Sequence, residues 1–409
     1  MRGLYWVRTD LRMHDNLALS RFCLECDEGI LLWCPTQSYL KSETYRKNFI
    51  NDCLFSFSKQ ISKFDQVLIQ AHNPIEHELV SYIREQRIDK VYYTNECAFD
   101  EICDEGKVQD LCRQNKIKSE GFDQATLVSR SNLPFDIENM PFVFTDFRKK
   151  VEASLKISPP IEAPKSLPRK VRDLGESLSE QIQDNLLFSG GEEAALARVH
   201  NYLFETKAIE SYKETRNGMI EWNDSAKLSP WFAHGCLSPR YVYSELKRYE
   251  HEVNANESTY WLLFELLWRD YLKFFSMKYQ RQIFQESGVR PRREYSPVLD
   301  HEIFERWSKG QTTDEFINAN VNELNRTGWM SNRGRQNVAS YFIHQLKLPW
   351  TWGAAYFEKL LIDYDPDLNW GNWLYLSGNG SDPRARVFNT LRQAEQYDPS
   401  GEYRKKWLS

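Results

Sequence analysis

The sequence predicts an α/β N-terminal domain with a doubly wound, Rossmann-like parallel sheet, followed by an all-α C-terminal domain. Three observations support this fold class. Short β-rich segments alternate with amphipathic stretches over residues 1–130, the periodicity becomes helical after Glu192, and 409 residues exceed what one hydrophobic core usually supports. We therefore expect domains at residues 1–130 and 191–409, joined by an interdomain linker at 131–190.

The elements of the first domain follow from hydrophobic periodicity. The predicted strands are 3–8, 29–35, 66–70 and 90–95, and the predicted helices between them include 43–63 and 75–86. No GxGxxG opens the first helix, so a dinucleotide is not expected on this sheet. The linker contains six prolines and little periodicity, which favours an irregular connection. Beyond it, Ser-Pro pairs at 229–230 and 238–239 mark helix starts that serine can cap.

Composition excludes several classes of protein. The longest apolar run is too short to span a bilayer, and the N-terminus is charged where a secretory signal has an apolar core. A net charge of −5 argues against nonspecific coating of nucleic acid. Of the eight cysteines, seven precede residue 113, and the only close pair, Cys23 and Cys26, has no second Cys or His pair at zinc-ligand spacing. We therefore expect reduced, mostly buried thiols. We expect a cytoplasmic monomer without membrane contact or metal.

A small, hydroxylated segment leads into one predicted helix start. It comprises Ser225, Ala226, Lys227, Leu228 and Ser229. Such a segment at a helix N-terminus can bind phosphate, because unpaired backbone N–H groups point outwards there. The alternative, which spacing alone favours, is that Ser229 only caps the helix.

A carboxylate interrupts an apolar helical face at residues 261–275. Glu265 shares this face with Trp261, Trp268 and Leu272. Burying a carboxylate costs free energy unless a partner hydrogen-bonds it. One interpretation is a surface ion pair with Arg269, four residues on, beside core tryptophans. The other is a ligand-facing Glu265 next to a stacking Trp268.

A polar face is predicted for the helix within residues 327–342. Asn332, Arg335 and Gln336 share it with Ala339, and Arg333 lies close to the helix start. Amide and guanidinium groups on one face can read base edges or pair with a buried carboxylate. A solvated polar face has the same pattern and is the better explanation from this segment alone.

Three aspartates cluster in residues 360–378, a segment broken by Pro366. Asp363, Asp365 and Asp367 superficially resemble a calcium-binding loop. The glycine and the terminal glutamate that such a loop needs are not in register, so we reject a metal site.

Several long segments together resemble the photolyase/cryptochrome family, and within it the cryptochrome DASH group. They are WVRTDLRMHDNLAL (6–19), YKETRNGM (212–219), WLLFELLWRDY (261–271), TGWMSNRGRQNVASYF (327–342), LIDYD with NWGNWLY (361–375), and DPRARVFN with QAEQYDPSGEY (382–403). Because the segments match in order and spacing, the resemblance extends over essentially the whole chain.

The resemblance implies that the helical domain holds FAD. The implied phosphate contacts are Tyr212 and the segment 225–229, and the implied residues around the isoalloxazine are Arg335 paired with Asp363, Arg269, Asp365, and Asn369 facing flavin N5. An asparagine can hydrogen-bond N5 without adding charge beside an electron-rich ring. The same resemblance implies methenyltetrahydrofolate as the antenna pigment of the α/β domain.

The implied activity is light-driven repair of cyclobutane pyrimidine dimers by electron transfer from reduced FAD. The residues implied to line the hole for the flipped dimer are Glu265, Trp268, Asn332, Arg333, Gln336 and Tyr375. Duplex-specific photolyases carry a tryptophan and a methionine where Tyr375 and Gln336 stand, so single-stranded DNA is the expected substrate.

Two other functions compete with repair. A blue-light photoreceptor keeps FAD but does not repair; the chain ends at Ser409, shortly after the last motif, and the missing signalling tail argues against this function. Retention of Glu265 and Trp268 favours repair. A flavin-free nucleotide-binding or nucleic-acid-binding scaffold predicts a colourless protein.

The resemblance also implies a tryptophan relay that reduces the flavin in light. Its inner positions, Trp373 and Trp350, are kept, whereas Pro297 stands at the outer position. Tyr295 is the nearest substitute in the sequence, and the alternative is a tryptophan from another segment. Because proline has no oxidisable ring, the sequence predicts slow photoreduction of oxidised FAD by an external thiol.

Overall fold

The computed structural model describes residues 1–171, 187–290, 296–382 and 386–409. The strands are β1 (Arg2–Val7), β2 (Glu28–Trp33), β3 (Leu68–Gln70), β4 (Lys90–Thr94), β5 (Lys118–Phe122) and β6 (Arg169–Lys170). The α-helices are α1 (Leu17–Glu25), α2 (Gln37–Leu40), α3 (Thr44–Ser62), α4 (Ile75–Glu85), α5 (Phe99–Gln114), α6 (Phe144–Ala153), α7 (Glu192–His200), α8 (Tyr212–Thr215), α9 (Ser229–Ala233), α10 (Pro239–Glu252), α11 (Glu257–Tyr279), α12 (His301–Ser308), α13 (Glu315–Thr327), α14 (Asn332–Ser340), α15 (Trp350–Leu360), α16 (Pro366–Ser377), α17 (Thr390–Tyr397) and α18 (Glu402–Leu408).

Shorter helical turns complete the secondary structure of the described ranges. The 3₁₀ turns are Arg130–Asn132, Ile137–Asn139, Ala208–Ser211, Trp222–Asp224 and Gln280–Phe284, and the π-helical turns are Asn201–Glu205 and Tyr341–Gln345. Within these ranges, no helix combines the length and the apolarity that crossing a bilayer requires.

The described chain forms two compact units, and each is assembled from several segments. The α/β unit contains residues 1–134, 154–171, 187–201 and 228–252, and the helical unit contains 135–153, 202–227, 253–290, 296–382 and 386–409. The boundaries predicted at 130 and 190 run consecutively along the chain and therefore differ from these interleaved units. The predicted irregular linker also contains a helix, α6, which the sequence interpretation missed.

A parallel sheet organises the α/β unit. Its strands follow the order β3-β2-β1-β4-β5, with β6 pairing the start of β2, and every pairing in the described residues is parallel. The doubly wound parallel sheet predicted from the sequence is thus confirmed. The four predicted strands are present, whereas β5 was not predicted, because its sequence KSEGF has no apolar run. A charged strand of this kind is typical of a sheet edge.

Helices cover both faces of this sheet. The core on one side includes Ile83 of α4 and Val108 of α5. On the other side α1 lies close to the sheet, since a Cβ on Gly29 would lie 2.1 Å from the ring of Phe22. Glycine at position 29 therefore sets how closely α1 can pack. All eight cysteines are free thiols and six are buried, as the sequence predicts.

The two Ser-Pro helix starts differ in their capping. Ser238 precedes α10, and its Oγ accepts a hydrogen bond from the backbone N–H of Arg240 at 3.1 Å, which confirms the predicted cap. Ser229 is the first residue of α9, and Leu228 occupies the N-cap position. The interpretation of Ser229 as a cap is therefore wrong by one residue.

The helical unit is built around α11. This 23-residue helix begins after Asn256, whose side chain accepts from the backbone N–H of Thr259 at 2.9 Å. It packs against α6, α8 and α16, while α13 packs against α18 and α15 against α16. Most of the residues predicted to form a site lie on α11, α14 and α16, so the packing of these helices positions their side chains.

A buried carboxyl lies where α18 packs on α13. Glu323 is 4% exposed, and the hydroxyl of Tyr403 donates to its Oε2 at 2.5 Å. Burial raises the pKa of Glu323 to about 7, against an ordinary value of 4.5. Between these two values the folded state holds a proton that the unfolded state has lost, so stability falls as pH rises through this window.

Glu323→Gln is expected to flatten this pH dependence. The pKa difference of about 2.5 units corresponds to about 3 kcal/mol in the free energy of unfolding. The parent should lose this stability between about pH 4.5 and pH 7, whereas the variant should keep it. Urea denaturation midpoints at both pH values measure it. Glu302→Gln, a change at an exposed position of α12, is the control and should titrate as the parent does. Equal slopes for parent and Glu323→Gln would contradict the assignment.

Candidate functional site

An ion pair joins α14 to the segment before α16. Arg335 donates from Nη2 to both carboxylate oxygens of Asp363, at 2.8 and 3.0 Å, and from Nε to the carbonyl of Met330 at 2.8 Å. Asp363 is 6% exposed, whereas 26% of the Arg335 side chain remains accessible. The expected pairing of these residues is present. These three hydrogen bonds hold the Arg335 guanidinium in one orientation, and part of it remains accessible to a ligand.

Buried charges surround the start of α16. Lys273 of α11 places its Nζ 2.9 Å from a carboxylate oxygen of Asp365 and 2.9 Å from one of Asp367. Burial acts to raise the pKa of Asp365, but the charges of Lys273 and Arg269 outweigh it and lower that pKa. Burial raises the pKa of Asp367. The positive charges of Lys273 and Arg269 therefore favour the ionised form of Asp365.

Asn369 lies one turn into α16 and is 9% exposed. Its Nδ2 donates to the backbone carbonyl of Ala354 in α15 at 2.9 Å. An amide carries a second N–H and an oxygen besides this one donor. The bond to α15 therefore holds the side chain in place without using all of its hydrogen-bonding capacity.

The predicted phosphate segment crosses from one compact unit to the other. In the helical unit, Lys227 has a left-handed backbone (φ 52°), and its Nζ donates to the carbonyl of Glu221 at 3.2 Å. The ammonium lies 4.9 Å from the ring centre of Trp329. Leu228 and Ser229 belong to the α/β unit. The segment thus contains a cation held by a hydrogen bond and an aromatic contact, while its contact with phosphate stays a prediction.

Tyr212 opens α8 and is 8% exposed. Its ring meets that of Tyr202 edge to face, with centroids 6.4 Å apart. Burial, followed by the nearby charge of Glu265, raises the pKa of Tyr212 well above its ordinary value. Tyr212 therefore remains a neutral phenol that can donate a hydrogen bond.

The partner of Glu265 is Arg216, not Arg269. Arg216 follows α8, and its Nη1 pairs with Oε1 of Glu265. The guanidinium also lies 4.4 Å from the ring centre of Trp261. Burial raises the pKa of Glu265, and Arg216 counteracts that shift. Since 29% of the Glu265 side chain is accessible, the carboxylate is held in place and remains within reach of a ligand.

An aromatic pair lies one turn beyond Glu265. Trp268 of α11 meets Tyr375 of α16 edge to face, with centroids 5.3 Å apart. The indole Nε1 donates to Oδ1 of Asn372 at 3.4 Å, and the Tyr375 hydroxyl accepts from Arg386 at 2.7 Å. Both rings are half-buried. The pair forms an apolar surface in which both rings remain partly accessible.

The polar residues of α14 differ in exposure. Arg333 donates to Oδ1 of Asn217 at 2.9 Å, and its guanidinium lies 4.7 Å from the ring centre of Tyr397. Burial lowers the pKa of Arg333, and the charge of nearby Arg216 lowers it further. Asn332 is exposed and Gln336 is half-buried. Arg333 and Glu265 are thus linked through the neighbouring residues 216 and 217.

Sequence reasoning missed the residues that hold the predicted ones in place. They are Arg216, Asn217, Lys273, Asp367 and Asn372. Arg216 and Asn217 could have been found from their position, because they lie inside YKETRNGM, one of the segments on which the family resemblance rests. Only Tyr212 of that segment was assigned a role.

The comparisons with known proteins agree with this geometry. The DNA photolyase family matches residues 3–166, and the FAD binding domain of DNA photolyase matches residues 261–409. Proteins described as cryptochrome DASH from Gloeobacter violaceus and Danio rerio are 39% and 38% identical, over 99% and 98% of this chain and 85% and 82% of theirs. The chain belongs to the photolyase/cryptochrome family. The crystal structure of the Synechocystis sp. PCC6803 cryptochrome is similar to it, with a TM-score of 0.93 and 37% identity, covering 100% of this chain and 89% of that chain.

The matched FAD-binding domain contains most of the residues of the helical site. The photolyase FAD-binding domain covers Arg269, Arg335, Asp363, Asp365 and Asn369, as well as the Trp268 surface. Tyr212 and the segment 225–229 precede the matched range. The contacts made by Arg216 and Asn217 connect this earlier segment to the matched domain.

In this photolyase/cryptochrome family member, the two inner relay positions are buried. The ring of Trp373 lies against α15, where a Cβ on Gly353 would be 2.2 Å from it. Trp350 is 0% exposed, and its Nε1 donates to the carbonyl of Glu286 at 3.0 Å. Pro297 is half-buried, and Tyr295 lies outside the described residues.

Proposed function

We propose that the protein binds FAD in its helical unit and uses blue light to split cyclobutane pyrimidine dimers, with single-stranded DNA as the preferred substrate. The observation that carries this proposal is Glu265, held by Arg216 one turn from the Trp268–Tyr375 surface. A carboxylate beside an accessible aromatic surface can hydrogen-bond the edge of a base while the ring stacks on its face.

The donors and acceptors of the helical unit suit FAD. An isoalloxazine edge presents carbonyl oxygens and one N–H, and the site offers two guanidinium groups, two buried carboxylates and an amide. Arg335, Arg269, Asp363, Asp365 and Asn369 would hold the ring, and Tyr212 with the segment 225–229 would hold the phosphates. When bound and reduced, the cofactor supplies the light-excited electron that splits the dimer.

The protein's own residues position the lesion. Glu265 would accept hydrogen bonds from the pyrimidine edge through its carboxylate oxygens. Trp268 and Tyr375 would contact the flipped rings. A dimer is already poorly stacked, which lowers the cost of extruding it. Asn332, Arg333 and Gln336 would contact the strand beside it.

The subgroup resemblance supports two finer assignments. Tyr375 and Gln336 offer a smaller stacking surface than the tryptophan and methionine of duplex-specific photolyases, which favours a single strand that needs no unpairing. Methenyltetrahydrofolate is the antenna pigment that the resemblance supports for the α/β unit.

Repair and absorption measurements test this function. We expect a yellow protein that releases FAD and a folate on denaturation. After chemical reduction it should repair dimers in single-stranded oligonucleotides under blue light faster than in duplexes. A flavin-bound protein without repair on either substrate would favour the photoreceptor function, and a colourless protein would exclude both.

A further inference from the structure

Trp370 contacts one of the two buried relay tryptophans and is itself partly exposed. Its ring meets that of Trp350 at 78°, with centroids 5.9 Å apart. Trp350 lies one helical turn before Gly353, the residue against which Trp373 packs. Trp370 is half-buried, whereas Trp373 is 3% exposed and Trp350 is fully buried. The three indoles therefore lead from the interior of the unit to its surface.

A carboxylate stands at the end of this path. The Nε1 of Trp370 donates to Oε2 of Glu358 on α15 at 2.9 Å. The Nε1 of Trp350 donates instead to a backbone carbonyl, that of Glu286. A carboxylate is a base and a peptide carbonyl is not, so Glu358 can take a proton from the indole it contacts. Glu358 is half-buried and can exchange that proton with solvent.

We propose that Trp370 is the outer electron donor of the relay and that Glu358 is its proton acceptor; this rests on the proposed function. One electron leaves Trp370 and passes through Trp350 and Trp373 to light-excited, oxidised FAD. The Nε1 proton moves to Glu358, because an oxidised indole is a much stronger acid than a neutral one. The remaining neutral indole radical cannot readily recover the electron. An external thiol then supplies one electron, and Glu358 returns the proton.

A second aromatic path lacks these features. The ring of Phe342 lies between Trp373 and Trp307, with centroid distances of 5.6 and 4.4 Å. A phenyl ring is harder to oxidise than an indole. Trp307 is 0% exposed, and its Nε1 has no hydrogen-bond partner among the residues that the structure describes. An electron vacancy on Trp307 would therefore have no hydrogen-bonded base among the described residues and, at 0% exposure, no contact with an external thiol.

Flash photolysis of the FAD-loaded parent and three variants tests the proposal. Trp370→Phe should lose the long-lived neutral indole radical and the thiol-dependent photoreduction. Glu358→Gln keeps a hydrogen-bond acceptor but not a base, so the radical should stay protonated and decay faster by charge recombination. Trp352→Phe, at another half-buried tryptophan of α15, is the control and should behave as the parent does. Pro297→Trp should add little to the parent's rate.

Two results would overturn the assignment. One is photoreduction by Trp370→Phe at the parent's rate, and the other is a deprotonated radical of unchanged lifetime in Glu358→Gln. The second variant retains the indole packing, so it decides the matter even if Trp370→Phe folds poorly. Measuring bound FAD in the dark separates a failure of the relay assignment from a failure of the proposed function. A parent that binds FAD but repairs no dimers can still reduce its flavin through Trp370.

Discussion

Asp363→Ala is expected to abolish FAD binding and to lower the free energy of unfolding by about 3 kcal/mol. The change removes both acceptors of the Arg335 Nη2 group and leaves a guanidinium in a largely buried position. Breaking a buried pair by deleting one partner costs about 3 to 5 kcal/mol. The lower value applies because Arg335 keeps 26% exposure and its bond to Met330.

The measurement needs a control with the same stability cost. Asp398 of the helical unit is as buried as Asp363, and it pairs with Arg404 at 2.8 Å, whose side chain is 31% exposed. Asp398→Ala should therefore lose comparable stability in urea denaturation. It should still copurify with stoichiometric FAD. If Asp363→Ala retained FAD, or if both variants lost it equally, Asp363 would have no specific role in the cofactor site.

The sequence predicts those helices and strands whose buried face gives a regular spacing of apolar residues. The apolar strands β1 to β4 and the helices α3 and α4 follow directly from period 2 and period 3.6. The strand β5 did not, since an edge strand buries little and two of its five residues, Lys118 and Glu120, are charged. The helix α6 was hidden by prolines on both sides, although Phe144, Phe147 and Val151 have helical spacing.

The site was accessible only in part, because its partners are distant in sequence. Local reasoning finds pairs three or four residues apart, and it therefore offered Arg269 to Glu265. The actual partner, Arg216, is 49 residues away. Trp370 and Trp373 are close in sequence, but the sequence contains no information on the contact between Trp370 and Trp350, which depends on the packing of α15 on α16.

Glu265→Ala is expected to reduce dimer repair by about tenfold or more while FAD stays bound. One or two charge-assisted hydrogen bonds contribute about 1.5 to 3 kcal/mol, which corresponds to this loss. The same change leaves Arg216 without its carboxylate, and it adds positive charge beside Arg333. Affinity for undamaged single-stranded DNA should therefore hold or rise while repair falls. Repair yield under saturating light and limiting substrate, together with binding of damaged and undamaged oligonucleotides, measures both effects.

A carboxylate of similar exposure separates recognition from folding. Glu152 of α6 is 26% exposed against 29% for Glu265, and it pairs with Arg148 and accepts from the hydroxyl of Tyr260 at 2.7 Å. Glu152→Ala should lose similar packing and charge yet repair dimers as the parent does. Glu265→Gln should recover part of the loss, because its amide still bonds the pyrimidine edge. Equal repair by Glu265→Ala and Glu152→Ala would place Glu265 outside the lesion site, whatever its contact with Arg216 contributes to the fold.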